Sequence, residues 1–463
     1  MRRMLAVGMT AISMIVVAAA ALAQGQRAGA QSTVQQKVLP PEARYWMGVS
    51  TGSGMMAMGM GGQPSLMGMM RMATSGPPSA SQSVELRLGS SLAPAGEADA
   101  THAFPPGAQV NKPIHLEVPE PGQRGRDMPE EPYREPKGQI TFYWGCGEKA
   151  GPGQPVVLTF DKLMRGENEP GLQALEGAVG AQSVRMPGPG NSKTFARWPH
   201  ADAKKRNRGL KAAFPPGATL AGEHRIEGNY TPTINFTLPA SRSFMEPVRY
   251  SSTQLGPSGA LALAWNPVAR ATGYSVGVMA PEKAGDDSAN IIMWSSADRP
   301  ATFIQMQYLT PAEVKRLVGL KAVLPSTTTS CTVPAEVVKA TKEGSMLMFS
   351  AFGDEATFID PPRPPDPAVT WDQDWFARVS YRSVRMDMLS PQGVTDMEAM
   401  MGGGAASAAP GAEMSDEDYC AQLERERAQR PAITDVIPGG RLLGKLGRKK
   451  QEPPADPRCA QPE

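Results

Sequence analysis

Short runs of alternating apolar and polar residues, set apart by Gly and Pro, make up most of the chain. Over residues 83–88, Val84, Leu86 and Leu88 fall on one side while Glu85 and Arg87 fall on the other, the period-two pattern of a half-buried strand. Residues 139–144 repeat it, with Ile140, Phe142 and Trp144 set against Thr141 and Tyr143. Gly145-Cys146-Gly147 ends that run, because glycines around a small residue permit positive φ. Residues 155–160 then return as the second strand of a long-looped hairpin. Residues 43–49, 114–118 and 233–238 are further strands. Ala103-Phe-Pro-Pro-Gly-Ala108 recurs as Ala213-Phe-Pro-Pro-Gly-Ala218, each copy ahead of a strand-like run. Pro-Pro-Gly dictates an extended approach followed by a turn.

Residues 256–391 carry the densest pattern. Ala260-Leu-Ala-Leu-Ala-Trp265-Asn-Pro267 is followed by Gly273-Tyr274-Ser-Val276-Gly-Val278. A strand ending in Trp-x-Pro, then a Gly-Tyr-x-Val-x-Val strand, resembles the early strands of a fibronectin type III or related immunoglobulin-like sandwich. The resemblance implies a core role for Trp265 and a paired strand beginning at Tyr274. Further strands are expected at 291–294, 302–306, 330–333, 346–352 and 376–386. Residues 310–320 depart from that family's pattern. Pro311 in the first turn and Glu313 beside it predict a helix there.

The chain has 48 Gly and 45 Pro in 463 residues, a density that excludes a helical bundle. The expected fold is mostly β: two or three antiparallel β-sandwich modules with disordered Gly/Met/Pro-rich segments and one short C-terminal helix. The expected organisation is a signal peptide over 1–23, a flexible Gly/Met-rich stretch over 24–82, and a β-rich region of one or two modules over 83–250. The fibronectin type III-like sandwich over 256–391 follows, then a flexible tail over 392–463. That tail holds a helix over about 415–430, started by Ser415 and acidic residues and closed by Arg425, Arg427 and Arg430 before Pro431.

The first residues set the compartment. Arg2 and Arg3 precede an apolar, Ala-rich stretch that ends at Ala21-Leu22-Ala23, the layout of a cleaved secretory leader. The composition looks bacterial, so the periplasm is the expected destination. The formal charge is +2, and Arg2 and Arg3 account for it, so the remainder is neutral. A neutral balance argues against nucleic acid as the partner. Four Cys stand at 146, 331, 420 and 459. None has zinc or redox spacing. Cys420 and Cys459, both in the tail, are the expected pair. Cys146 and Cys331 are open to two readings, buried thiols or a bridge.

Candidate chemistry is sparse. Met55, Met56, Met58, Met60, Met67, Met69, Met70 and Met72 crowd one Gly-rich tract. Thioethers are soft ligands that select Cu(I). The competing readings are an adaptable low-complexity loop and a sacrificial, oxidisable surface. Met386, Met388, Met397, Met400, Met401 and Met414 form a looser second group. Gly48-Val49-Ser50-Thr51-Gly52 matches the nucleophile elbow of α/β-hydrolases, but no helical pattern follows it. His102, His115, His200 and His224 are the only candidate bases. Asp372 and Asp374, between Trp371 and Trp375, offer oxygens to Ca²⁺ but lack the other positions of an EF-hand. The two Trp are either core or carbohydrate platforms. Lys204, Lys205, Arg206, Arg208 and Lys211 form a basic cluster without interleaved aromatics, read as a solvated loop. Residues 441–450 place Leu442, Leu443 and Leu446 opposite Lys and Arg, an arrangement suited to peripheral membrane contact. The sequence thus points to an exported, non-enzymatic binding or assembly protein of the bacterial cell envelope, with no catalytic residue and an unidentified partner. The alternatives are a periplasmic Cu(I)-binding protein using the Met tract and a serine hydrolase using Ser50.

Overall fold

The computed structural model describes residues 36–58, 80–119, 138–165, 178–199, 214–283, 289–301, 304–342 and 344–395. The expected leader, most of the Met tract, the basic cluster, His200, the expected tail helix, residues 441–450 and the expected Cys420–Cys459 pair lie outside them.

Strands are numbered in chain order. One large mixed sheet runs β6 (Val156–Thr159), β5 (Gln139–Trp144), β13 (Ala289–Ser295), β12 (Gly273–Lys283), β16 (Met346–Asp360), β17 (Trp375–Ser390), β1 (Ala43–Gly54), β2 (Ser81–Ser90) and β7 (Thr194–Arg197). Short β14 (Leu324–Pro325) and β18 (Gly393–Thr395) flank β12 and β17. The β1·β17 and β13·β5 pairs are parallel and the others antiparallel. A four-stranded sheet follows the order β4 (Ile114–His115), β3 (Ala100–Ala103), β8 (Gly222–Gly228), β9 (Thr231–Leu238). A three-stranded sheet follows β10 (Tyr250–Leu255), β11 (Leu261–Trp265), β15 (Ser330–Val333). The large sheet gathers strands from residue 43 to residue 395, so the expected 83–250 and 256–391 segments both contribute to it.

Alternation decides which face each side chain takes. Tyr45, Met47 and Val49 on β1, Val276 and Val278 on β12, Phe349 and Ala351 on β16, and Val379 and Tyr381 on β17 share one buried cluster with both small sheets. This inner face of the large sheet is therefore covered twice, by the four-stranded sheet near β1 and by the three-stranded sheet near β12. Trp265 closes β11 in that core, with its ring 5.7 Å from Tyr274 and 4.8 Å from Phe349. The Tyr274 hydroxyl accepts the Val268 amide at 3.0 Å, which fixes the turn between β11 and β12.

Among the described residues, a segment that includes a helix covers part of the outer face. Helix α2 (Pro311–Gly319) follows a short α1 (Phe160–Arg165) and precedes α3 (Ala335–Ala340). It forms where the sequence predicts it: Thr310 caps it by accepting the Glu313 amide at 3.1 Å, and Pro311 opens the first turn. Val314 and Leu317 pack with Phe352. The strand expected at 302–306 is not formed among its described residues. Gln305 accepts its neighbour Ile304's amide at 3.0 Å and donates to Ser275 at 3.0 Å, so side-chain bonds replace a ladder there. The strand expected at 114–118 is shortened to two residues, and beyond it Glu117 pairs instead with Arg197.

A disulfide joins Cys146, in the Gly-flanked turn after β5, to Cys331 on β15, with Cα atoms 5.2 Å apart. Of the two readings left open for these residues, the bridge is the one formed. The repeated Phe-Pro-Pro-Gly-Ala segments lie against each other. Phe104 and Phe214 pack edge-to-face at 5.5 Å, and Thr219 donates its amide to Gly107 at 2.9 Å. Each copy makes the same turn bond, Ala108 to Pro105 at 2.9 Å and Ala218 to Pro215 at 3.1 Å.

Candidate functional site

The register of the large sheet brings together methionines that are far apart in sequence. Met388 on β17 opposes Met346 on β16, Met346 opposes Met279 on β12, and Met279 opposes Met293 on β13. Phe142 on β5 continues the row beside Met293. Two residues along, Met386 opposes Met348. Residues directly opposed in a ladder project to the same side, with Cβ atoms about 4.5–5.5 Å apart. Their neighbours Val278, Ile292, Leu347 and Leu389 are in the inner core, which places the methionines on the outer face. Met348 and Met386 are buried, whereas Met279, Met293, Met346 and Met388 are only half-buried.

The Met tract begins beside this surface. Met55–Met58 form one turn of 3-10 helix directly after β1, and Ser81 donates to the Met56 carbonyl at 2.8 Å. A Cβ on Gly52 would come within 3.0 Å of the Met56 Cβ, so Met56 lies over the outer side of β1. Met55 and Met56 are half-buried; Met60, Met67, Met69, Met70 and Met72 lie outside the described residues, as does the side chain of Met58. Sequence reading singled out Met386 and Met388 but missed Met279, Met293, Met346 and Met348. Their signal was their position on the polar-facing side of strongly alternating strands, which only the register turns into a row.

Ser50 lies within β1, opposite Ser83 and Arg382, and not on a strand-to-helix turn. Its Oγ accepts from Arg382 Nε at 3.3 Å, and the Arg382 guanidinium stacks 4.0 Å from the Tyr308 ring centre. The two glycines of the motif serve packing: a Cβ on Gly48 would sit 2.4 Å from the Trp46 ring, which packs edge-to-face on Tyr308 at 5.1 Å. The sheet separates Ser50, on the outer face, from the buried histidines on the inner one.

Those histidines form a hydrogen-bonded chain. Tyr45 Oη lies 2.7 Å from His102 Nδ1, His102 Nε2 lies 3.0 Å from His224 Nδ1, and His224 Nε2 lies 2.8 Å from the Leu220 carbonyl. The carbonyl can only accept, so His224 Nε2 carries hydrogen and its Nδ1 accepts from His102 Nε2–H. His102 Nδ1 in turn accepts from the Tyr45 hydroxyl. Every polar atom is satisfied with both rings neutral. Burial holds both histidines well below their usual range, His224 at about 4, and raises Tyr45. Phe104 stacks on His102 at 4.0 Å and Phe236 on His224 at 4.9 Å. The chain pins β1 to β3 and β8 and is enclosed by core. His115 pairs with Asp99 at 3.0 Å on β4.

On the inner face beyond Thr51, Arg385 Nε donates to both oxygens of buried Asp387 at 3.1 and 2.8 Å, and its guanidinium lies 4.7 Å from the Tyr250 ring centre. Asp372 and Asp374 are exposed; Trp375 is core, and Trp371 donates to the Pro361 carbonyl at 2.9 Å with Arg363 over its ring. Among the described residues, no group of three or more His, Cys, Asp or Glu side chains could hold a metal ion. None of the described helices is long and apolar enough to cross a membrane. Compared with known proteins, the chain matches no family model, no curated protein and no solved structure.

Proposed function

We propose that this chain is an exported, non-enzymatic binding or assembly protein of the bacterial cell envelope, and that it binds through the outer methionine face of its large sheet. One observation carries the reading. The segment over residues 304–319 covers the outer face near Phe352 and Ser275, while the Met279–Met293–Met346–Met388 row stays half-exposed. Large, adaptable thioether side chains on a rigid sheet suit contact with partners of varied shape. The leader-like start and the Cys146–Cys331 bridge support export, since structural disulfides belong to oxidising compartments. For residues 256–391 we favour the fibronectin type III-like reading. Its support is Trp265 in the core, Tyr274 opening the next paired strand, and the order β10-β11-β15 facing β13-β12-β16-β17.

Two measurements test this. Fractionation of cells expressing the native gene should place the protein outside the cytoplasm, with the mature N-terminus near Gln24; a cytoplasmic, uncleaved chain refutes export. A photo-crosslinking residue at position 346 should give a discrete adduct in intact cells, while one at exposed Thr233 on β9 should not. No adduct at 346 refutes the face as a docking surface for a macromolecular partner. The second reading, a Cu(I)-binding protein using the tract, is favoured by the position of Met56 on the same side of the sheet. It predicts that replacing the eight tract methionines by Leu weakens Cu(I) binding.

A further inference from the structure

We propose that Met279, Met346 and Met388 form a soft-metal site for Cu(I), separate from the tract, with Met293 as a fourth donor beside Met279. This goes beyond the partner-binding reading, since a metal ion held by the row is independent of a macromolecule docking on the face.

The argument starts from the register. Adjacent strands are about 4.8 Å apart, so three neighbouring residues in one row have their roots within about 10 Å. Met346 is central, and the side chains of Met279 and Met388 each have three rotatable bonds with which to lean toward it. Three thioether sulfurs converging from one side make a neutral, soft and trigonal donor set. Such a set suits Cu(I) and its close analogue Ag(I), and it binds weakly the harder ions that need carboxylate or imidazole. No carboxylate or imidazole occupies the row to compete. Because 28 of 463 residues are Met, four in succession on four adjacent strands are not a product of composition alone.

The half-buried state of the row also fits ligand exchange. The neighbouring Met348 and Met386 are buried and act as core. The four proposed donors keep one side toward solvent, so an ion reaches them without opening the fold. Met56, directly after β1, lies on the same face of the sheet. Binding is ligation alone: no electron is transferred and no bond in the protein is broken.

The test uses the full chain and Ag(I), which needs no reductant and leaves the Cys146–Cys331 bridge intact. Ag(I) is titrated into the variant in which the eight tract methionines are Leu, to isolate the row. One tight equivalent is expected to remain. Adding M279L, M346L and M388L should weaken it at least tenfold, since Leu keeps the volume and removes the sulfur. M346L alone, at the centre, should have most of that effect. In the protein with methyl-labelled Met, the signals of Met279, Met346 and Met388 should shift together on adding one equivalent. Unchanged affinity in the sulfur-free row, or stationary methyl signals while Ag(I) binds elsewhere, overturns the proposal. The crosslinking at position 346 separates the two ideas. An adduct there with no Ag(I) bound leaves the binding face standing and removes the metal.

Discussion

The buried chain from Tyr45 through His102 to His224 should make the fold acid-labile, and the structure sets the size of the effect. Protonating His224 puts a hydrogen on Nδ1, where His102 Nε2–H already points at 3.0 Å, and charges a ring packed between Phe236 and His102. The folded state resists this, so His224 titrates at about 4 in place of the ordinary value near 6.5. The unfolded chain therefore binds more protons throughout that window. The stability contributed by the neutral ring is complete above about pH 6.5 and is lost as pH falls toward 4, at about 1.4 kcal/mol per pH unit. The total is about 3 kcal/mol for His224, a large part of a typical domain's stability. His102, shifted in the same direction by burial and by His224, adds to it. The decisive variant is His224→Gln. Its amide oxygen accepts from His102 and its amide nitrogen donates to Leu220, the same donor–acceptor pattern without a titrating group. Urea unfolding followed by Trp fluorescence at pH 7.5, 6.5, 5.5 and 4.5 measures the loss in both proteins. The carboxylates are common to the two, so their contribution cancels in the difference. The wild type should lose about 2 kcal/mol more than the variant between pH 6.5 and 4.5. Parallel pH curves would refute the assignment of the buried chain as neutral and coupled.

Removing the bridge with C146S/C331S opens a loop of 185 residues in sequence separation, and chain entropy puts the cost at about 5 kcal/mol. The urea midpoint should fall sharply with and without reductant alike, whereas the wild type falls only with it. Gly48→Ala sets a Cβ 2.4 Å from the Trp46 ring and should destabilise by about 1–3 kcal/mol, read from the same unfolding curve. Ser50→Ala removes a long contact from Arg382 and a side-chain hydrogen bond with Tyr308, and should cost about 1 kcal/mol. It should leave any ester hydrolysis by the purified protein unchanged, and loss of such activity on this substitution would restore the serine hydrolase reading. Tyr274→Phe leaves the Val268 amide without its partner in the core and should cost about 1–3 kcal/mol by thermal unfolding.

Local pattern carried most of the strands and little of the way they assemble. Val84, Leu86 and Leu88 are buried, as their alternation with Glu85 and Arg87 requires, and β5, β15 and α2 form where spacing and capping place them. Strand pairing is different, because hydrogen bonds between strands have no period along the chain. The parallel contact of β1 with β17 joins Ala43 to Trp375, more than three hundred residues away, and no local signal marks it. The same limit governs the candidate site. Met55 to Met72 stood out because they are neighbours in sequence, a property that low complexity alone produces. Met279, Met293, Met346 and Met388 are each one unremarked residue on a separate strand, and the ladder alone makes them a surface. The G-x-S-x-G match shows the converse: a motif complete in sequence is absorbed by packing, since Gly48 makes room for Trp46 and Tyr308, and Gly52 for Met56. In a sheet assembled from distant strands, chemistry should therefore be sought along the rows of the ladder, across strands, before it is sought along the chain.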